Sequence, residues 1–134
     1  MAWEVEYTDE FGAWWNGLTE EEQVELDARV RLLEQHGPAL PRPHSDVIVT
    51  SKHSNMKELR GRGVFPHRRA ELRVLYAFDS RRNAILLIGG DKTGKPKWYE
   101  EYVPVADQLF DDHLKQIERD EKKPGEKKRG KKFP

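Results

Sequence analysis

Three short runs between Met56 and Lys95 constrain this chain more than anything else in it. Residues 56–60, 71–78 and 84–88 each have strand length, and turn-forming residues separate them, so together they read as a small antiparallel sheet. In the middle run Leu72, Val74, Tyr76 and Phe78 share one face, and Arg73, Leu75 and Ala77 share the other. The run from Ala84 to Ile88 is apolar at every position, as expected of a central strand covered on both sides. Asp79-Ser80-Arg81-Arg82-Asn83 supplies a hairpin turn. Gly61 to Arg69, with two glycines, a proline, His67 and three arginines, makes a shaped basic connection. Lys57, Arg60, Arg73, Lys92 and Lys95 fall on or just beyond these strands, which predicts a positively charged platform.

The flanking segments predict helices. Trp3 to Tyr7 alternates apolar and acidic residues like a half-buried strand at an edge or against the later hairpin. Asp9 can cap a short helix that places Phe11, Trp14, Trp15 and Leu18 on one core-facing side. Thr19 to Glu22 is a capping-box sequence, Val24, Leu26, Ala28, Val30 and Leu33 supply the apolar face of a second helix, and Gly37-Pro38 ends it. From Pro38 to Asn55 the chain reads as a wrapping connection in which Val47-Ile48-Val49 packs or adds a short strand. His36, His44 and His53 match no metal-ligand spacing. Pro104 can open a last helix with Ala106, Leu109, Phe110, His113 and Ile117 on its sheet-facing side, His113 being a satisfied histidine at the core edge.

The expected fold is therefore α+β: a small antiparallel-rich sheet of about four strands, packed by two N-terminal helices and a C-terminal helix. Residues 1–121 form one domain in this reading. Residues 122–134, with seven positive charges and one negative through Lys132, form a basic disordered tail, either solubilising or a nonspecific arm for nucleic acid.

Composition narrows the chemistry. With 134 residues the chain is long enough for a core without metal or disulfide support, and the absence of cysteine excludes thiol catalysis and thiolate metal sites. No signal-peptide pattern or membrane-length apolar run is present, so a soluble cytoplasmic protein without membrane contact is expected. The net charge of zero hides an asymmetry: residues 1–50 hold 3 Lys/Arg against 11 Asp/Glu, and residues 51–100 hold 12 against 5. Acid on the first helices and base on the sheet suit a polyanion binder.

The strand and helix order, with Lys57-Glu58-Leu59-Arg60, Glu71-Leu72-Arg73-Val74-Leu75-Tyr76 and the Gly-Asp-Lys-Thr-Gly-Lys-Pro turn from Gly90 to Pro96, resembles the RelE/ParE superfamily of bacterial toxins. Within it, residues 3 to 118 are most similar to the phage-derived HigB-type branch. The resemblance implies a compact domain that cuts messenger RNA, often on the ribosome, without a cofactor. It also implies a cognate antitoxin encoded beside it, expected to be a small helix-turn-helix protein. Trp98 to Tyr102 and the basic tail have no counterpart in that pattern.

Metal-free RNA cleavage through the ribose 2′-OH needs a base for its proton, cations to stabilise the phosphorane and an acid for the departing 5′-oxygen. Arg60 and Arg73 suit the charge-stabilising role, because guanidinium stays ionised and grips phosphate through two donors. Lys92 and His67 complete the expected catalytic set, His67 because imidazole titrates near neutrality. Lys57, Lys95, Arg68 and Arg69 are expected to hold flanking phosphates, and Trp98 and Tyr99, with Tyr102, to stack on a splayed base. Two other readings stay open: a ParE-like protein that poisons DNA gyrase without catalysis, and a nucleic-acid-binding domain without toxicity.

Overall fold

The structure, a computed structural model, describes residues 2–65, 68–122 and 131–134, with residues 62–65, 68 and 69 described by their backbone alone. Among the described residues the chain runs β1 (Val5–Tyr7), α1 (Asp9–Asn16), α2 (Glu20–His36), a 3-10 turn (Gly37–Ala39), β2 (Ser45–Val47), β3 (Lys57–Phe65), β4 (Arg68–Phe78), β5 (Ala84–Asp91), α3 (Trp98–Lys122) and β6 (Lys131–Lys132). The strands form one sheet in the order β2-β3-β4-β5-β1-β6. It is α+β as expected, but with six strands rather than about four. It is also mixed, because β1 lies parallel to β5 while the other pairs are antiparallel. No helix is long and apolar enough to cross a membrane among the described residues.

Helices cover both faces of the sheet, and the alternation in β4 sorts its side chains between two cores. Leu72, Val74 and Tyr76 join Phe11 of α1 and Leu26, Val30 and Leu33 of α2. Leu75 and Ala77 join Val103, Ala106 and Phe110 of α3. The expectation that Ala84 to Ile88 is covered on both faces holds, with Ala84 to Leu87 at 1% exposure or less.

Local rules set the helix ends. Thr8, not Asp9, caps α1, accepting the Phe11 N–H at 3.0 Å while its own hydroxyl donates to Leu87 O. The capping box of α2 forms as expected between Thr19 and Glu22. That helix buries Glu22, Leu26, Val30 and Leu33, a narrow stripe at spacings of three and four, so Val24 and Ala28 face solvent instead of the core. Gly37 then ends it at φ +58. Pro104 does not open the last helix but sits inside it, on an exposed side. The first turn survives the missing N–H because Trp98, 1% exposed, anchors it in the core.

That anchor depends on a pair of glycines at the end of β5. Side chains on neighbouring strand residues point to opposite faces, so Gly89 and Gly90 each open a bay on a different side of the sheet. Trp14 of α1 fills the first and Trp98 the second: a Cβ built on Gly89 would lie 2.3 Å from the Trp14 ring, and one on Gly90 would lie 2.5 Å from Trp98 Nε1. Gly90→Ala should therefore destabilise the fold by about 1–3 kcal/mol, since the buried indole has nowhere to move. Urea denaturation checks this, and an unchanged midpoint would contradict it.

Two further strands complete the sheet, and the first, β2, takes in Val47 of the expected apolar triplet, whose Ile48 is buried. In β2 the Ser45 hydroxyl is hydrogen-bonded to Tyr76 Oη at 2.6 Å inside the core, while Val49 of the expected apolar triplet is exposed. At the C-terminus, residues 131–134 do not hang free as expected of a disordered tail. Lys131 and Lys132 pair with Tyr7 and Glu6, and Phe133 packs its ring on Tyr7, Phe11 and Trp15. Residues 123–130 lie outside the described residues.

Just after the C-terminal end of β4, the Asp79 carboxylate closes the hairpin turn. Its Oδ1 accepts the N–H groups of Arg81 and Asn83 at 2.9 Å each, and Oδ2 accepts from His113 Nε2 of α3 at 2.9 Å. His113 is thus a satisfied histidine at the core edge, as expected. Burial pushes the Asp79 carboxyl up, but the His113 contact, the Asn83 N–H and Arg81 outweigh it and hold the group below its ordinary value. A group depressed on folding contributes stability that is complete above its unfolded value and fades as pH falls through its lower folded value. Wild type should therefore lose stability below about pH 4 more steeply than Asp79→Asn, a difference read by denaturation across an acid pH series. Parallel curves would contradict it.

Candidate active site

The β3–β4 register places Arg60 directly opposite Arg73. Glu58, two residues before Arg60, shares its face by the strand period, and the three side chains meet at the start of α3. Glu58 is 4% exposed. Its Oε2 accepts from Arg60 Nη2 at 3.1 Å, and its Oε1 lies 3.3 Å from Arg73 Nε and accepts the Tyr99 hydroxyl at 2.5 Å. Arg60 Nη2 also reaches Asp46 Oδ2 of β2 at 3.1 Å, and Arg73 Nη1 donates to Leu72 O at 2.9 Å. A carboxylate this deep is tolerated only when paired and hydrogen-bonded, and Glu58 is both. Burial and the Glu58 acceptor push the Tyr99 phenol up to about 12, so at neutral pH it keeps its proton and acts as a donor.

Both arginines also line a cleft of about 310 Å³, with Arg29, His44, Gly61 and Glu71. The cleft forms where β2 stops covering the edge of β3: the Arg60 N–H to His44 O bond, 2.9 Å, lies just past the last paired residue of β2. Arg29 enters from α2, donating to Glu25 Oε1 at 2.8 Å and lying 3.1 Å from His44 Nδ1. A guanidinium only donates, so His44 Nδ1 is the acceptor there and the neutral ring carries its proton on Nε2. The Nε–H groups of Arg29, Arg60 and Arg73 have no hydrogen-bond partner among the described residues. Three guanidiniums around one hollow form an arrangement suited to a phosphate.

The other expected site residues divide by position. Lys92 is outside the cleft but linked to it: its Nζ lies 3.9 Å from Glu71 Oε2 and 5.7 Å above the Tyr99 ring. Lys57 is three residues from Arg60 and so faces the other side of the sheet, donating to Pro38 O at 2.7 Å. Lys95 is exposed in the turn before α3. Trp98 is not available to stack on a base, because it is buried over Gly90 and stacked on Tyr102 at 4.8 Å. Tyr99 points its hydroxyl inward to Glu58 rather than offering a free ring. His67 lies outside the described residues, and Arg68 and Arg69 are placed only as backbone partners of Phe65 and Val64.

Nor is the platform purely cationic, since Arg60, Arg73 and Lys92 each have a carboxylate neighbour. Sequence reasoning missed Glu58, Asp46, Glu71, Arg29 and His44 as parts of the site. Glu58 was open to discovery, because i, i+2 spacing from Arg60 puts both on one face; Arg29 and His44 reach the cleft through tertiary packing that leaves no local signal.

Residues 13–111 match the family described as Phage derived protein Gp49-like (DUF891). Two proteins of Mycobacterium tuberculosis (strain ATCC 25618 / H37Rv) are similar over most of the chain. "Putative toxin HigB2" is 41% identical over 123 residues, 91% of this chain and 60% of that protein. "Putative toxin HigB3" is 41% identical over 102 residues, 75% of this chain and 84% of that protein. The chain thus spans less than two thirds of the first relative and most of the second. All the described cleft residues, from Arg29 to Arg73, fall inside the family match, and the chain belongs to the phage-derived Gp49-like (DUF891) family as a HigB-like member.

Proposed function

We propose that the chain is the toxin of a type II toxin-antitoxin pair, an endoribonuclease that cuts messenger RNA through the RNA's own 2′-OH. The observation that carries this reading is the register pairing of Arg60 with Arg73 at one cleft. A scissile phosphate seated there meets two guanidiniums whose positions Glu58 fixes, and charge on the phosphorane is met by donors that stay ionised. Glu71, an exposed carboxylate of the cleft, takes the 2′-OH proton as the 2′-oxygen bonds to phosphorus. The departing 5′-oxygen takes a proton from solvent as its bond to phosphorus breaks. The products are a 2′,3′-cyclic phosphate and a 5′-hydroxyl. Glu58 and Tyr99 touch no substrate in this scheme; they are positioning residues. Two arginines placed on separate strands gain from such a brace, because catalytic geometry is lost with displacements of about 1 Å.

Inducing the protein should halt translation and leave transcripts with new 5′-hydroxyl ends, mapped by end-specific RNA sequencing. Coexpression of a small helix-turn-helix protein encoded beside it should restore growth. Intact transcripts with a DNA-damage response would contradict the nuclease reading and favour a gyrase poison; salt-sensitive nucleic-acid binding with no growth effect would favour a non-toxic binding domain.

A further inference from the structure

Six positions along β4 from Arg73, roughly 20 Å away, side chains from three elements converge on the α3 face. They are Glu6 of β1, Asp79 just after β4 and His113 of α3, and one donor atom from each lies within 4.8 Å of the other two. Asp79 Oδ2 and His113 Nε2 stand 2.9 Å apart. Glu6 is 7% exposed, and its Oε1 has no hydrogen-bond partner among the described residues. A buried carboxylate oxygen without a donor is costly.

We propose that Glu6, Asp79 and His113 form a site for a divalent cation of the zinc type, which ties β1, the β4–β5 turn and α3 together. Two carboxylate oxygens and one imidazole nitrogen are a donor set that zinc accepts, and three protein ligands leave a position for water. Ligand bonds of about 2.0–2.2 Å require ligand atoms roughly 3 to 4 Å apart, so the cluster needs only a small contraction to close on an ion. Asp79 is already oriented for it, since the N–H groups of Arg81 and Asn83 hold Oδ1 and leave Oδ2 toward His113. Binding through Nε2 leaves the neutral His113 ring with its proton on Nδ1, a protonated ring releasing its second proton to solvent. Among the described residues, the side-chain cations of Arg81 and Lys132 lie near the cluster. Arg81 Nε is 3.8 Å from Asp79 Oδ2, but that side chain is 35% exposed and has room to swing away. Lys132 of β6 is paired with Glu4 at 3.5 Å. Burial raises the Glu6 carboxyl, opposed by Arg81 and His113, and an ion would favour its charged form more strongly than they do.

The test uses the full chain, free of any affinity tag and stripped with chelator, titrated with zinc chloride by calorimetry and thermal unfolding. Wild type should bind one equivalent saturably and unfold at a higher temperature as zinc rises. Glu6→Gln should bind at least about tenfold more weakly. Without zinc the same variant should unfold no earlier than wild type, because the amide replaces an unpartnered carboxylate; its lost response to zinc is then not a folding defect. His113→Gln should lose binding likewise. Absence of saturable binding by wild type, or unchanged affinity in Glu6→Gln, would overturn the site and leave only the Asp79–His113 hydrogen bond.

Discussion

Exchanging Glu58 for Ala should cost the fold about 3–5 kcal/mol and silence the cleft at the same time. Glu58 is the carboxylate on which Arg60, Arg73 and Tyr99 converge. Removing it leaves Arg73, 11% exposed, without its carboxylate and with the Leu72 carbonyl and the Tyr99 phenol as its neighbours. Arg60 is less affected because it retains Asp46. Glu58→Gln separates the two effects. The amide fills the same volume and can still accept from Tyr99, but it cannot balance two guanidiniums. That variant should be intermediate in stability, and its arginines less fixed. Denaturation midpoints read the first effect and RNA cleavage the second. If Glu58→Ala were as stable as wild type, the central role given to this carboxylate would be wrong.

The second large effect is expected at the arginines themselves. Alanine there is a poor probe, because it strands Glu58 in the core and confuses lost catalysis with lost structure. Lysine keeps a positive charge on Glu58 but loses the planar fork that holds a phosphate through two donors. Arg60→Lys and Arg73→Lys should each reduce cleavage on the order of 10²–10³-fold with little change in unfolding midpoint. Together they should lose less than the product of the two, since both act on one phosphorane. Lys57→Gln, by contrast, should leave cleavage intact, because that side chain reaches Pro38 O on the other side of the sheet rather than the cleft.

How much of this was legible in the chain depends on whether the signal was local. The alternation of β4 and the unbroken apolar run of β5 reported their own burial, and the Thr19 box announced the start of α2. β2 was legible only in part, through Val47 of the apolar triplet, because its start at Ser45 rests on a buried Ser45–Tyr76 hydrogen bond that leaves no alternating pattern. β6 escaped because the surrounding lysines read as solvated tail, while the pocket that receives Phe133 is built by α1 and β1, more than a hundred residues earlier. The site shows the same division. That Lys57 and Arg60 lie on opposite faces follows from their odd separation, so parity alone argued against one shared platform. The meeting of Arg60 and Arg73 needed the strand register, and the approach of Arg29 and His44 needed the helix packed on it. Trp98 looked like a base-stacking ring because nothing in its neighbours says that Gly90 leaves a bay of its size.

The most direct measurement is cleavage of a defined RNA by the purified chain, with the new ends identified by mass spectrometry. A 2′,3′-cyclic phosphate and a 5′-hydroxyl are the predicted termini, and the Arg60→Lys, Arg73→Lys double variant should lose them while unfolding at the wild-type temperature. Undiminished cleavage by that double variant, or growth arrest by wild type with every RNA intact, would contradict the account.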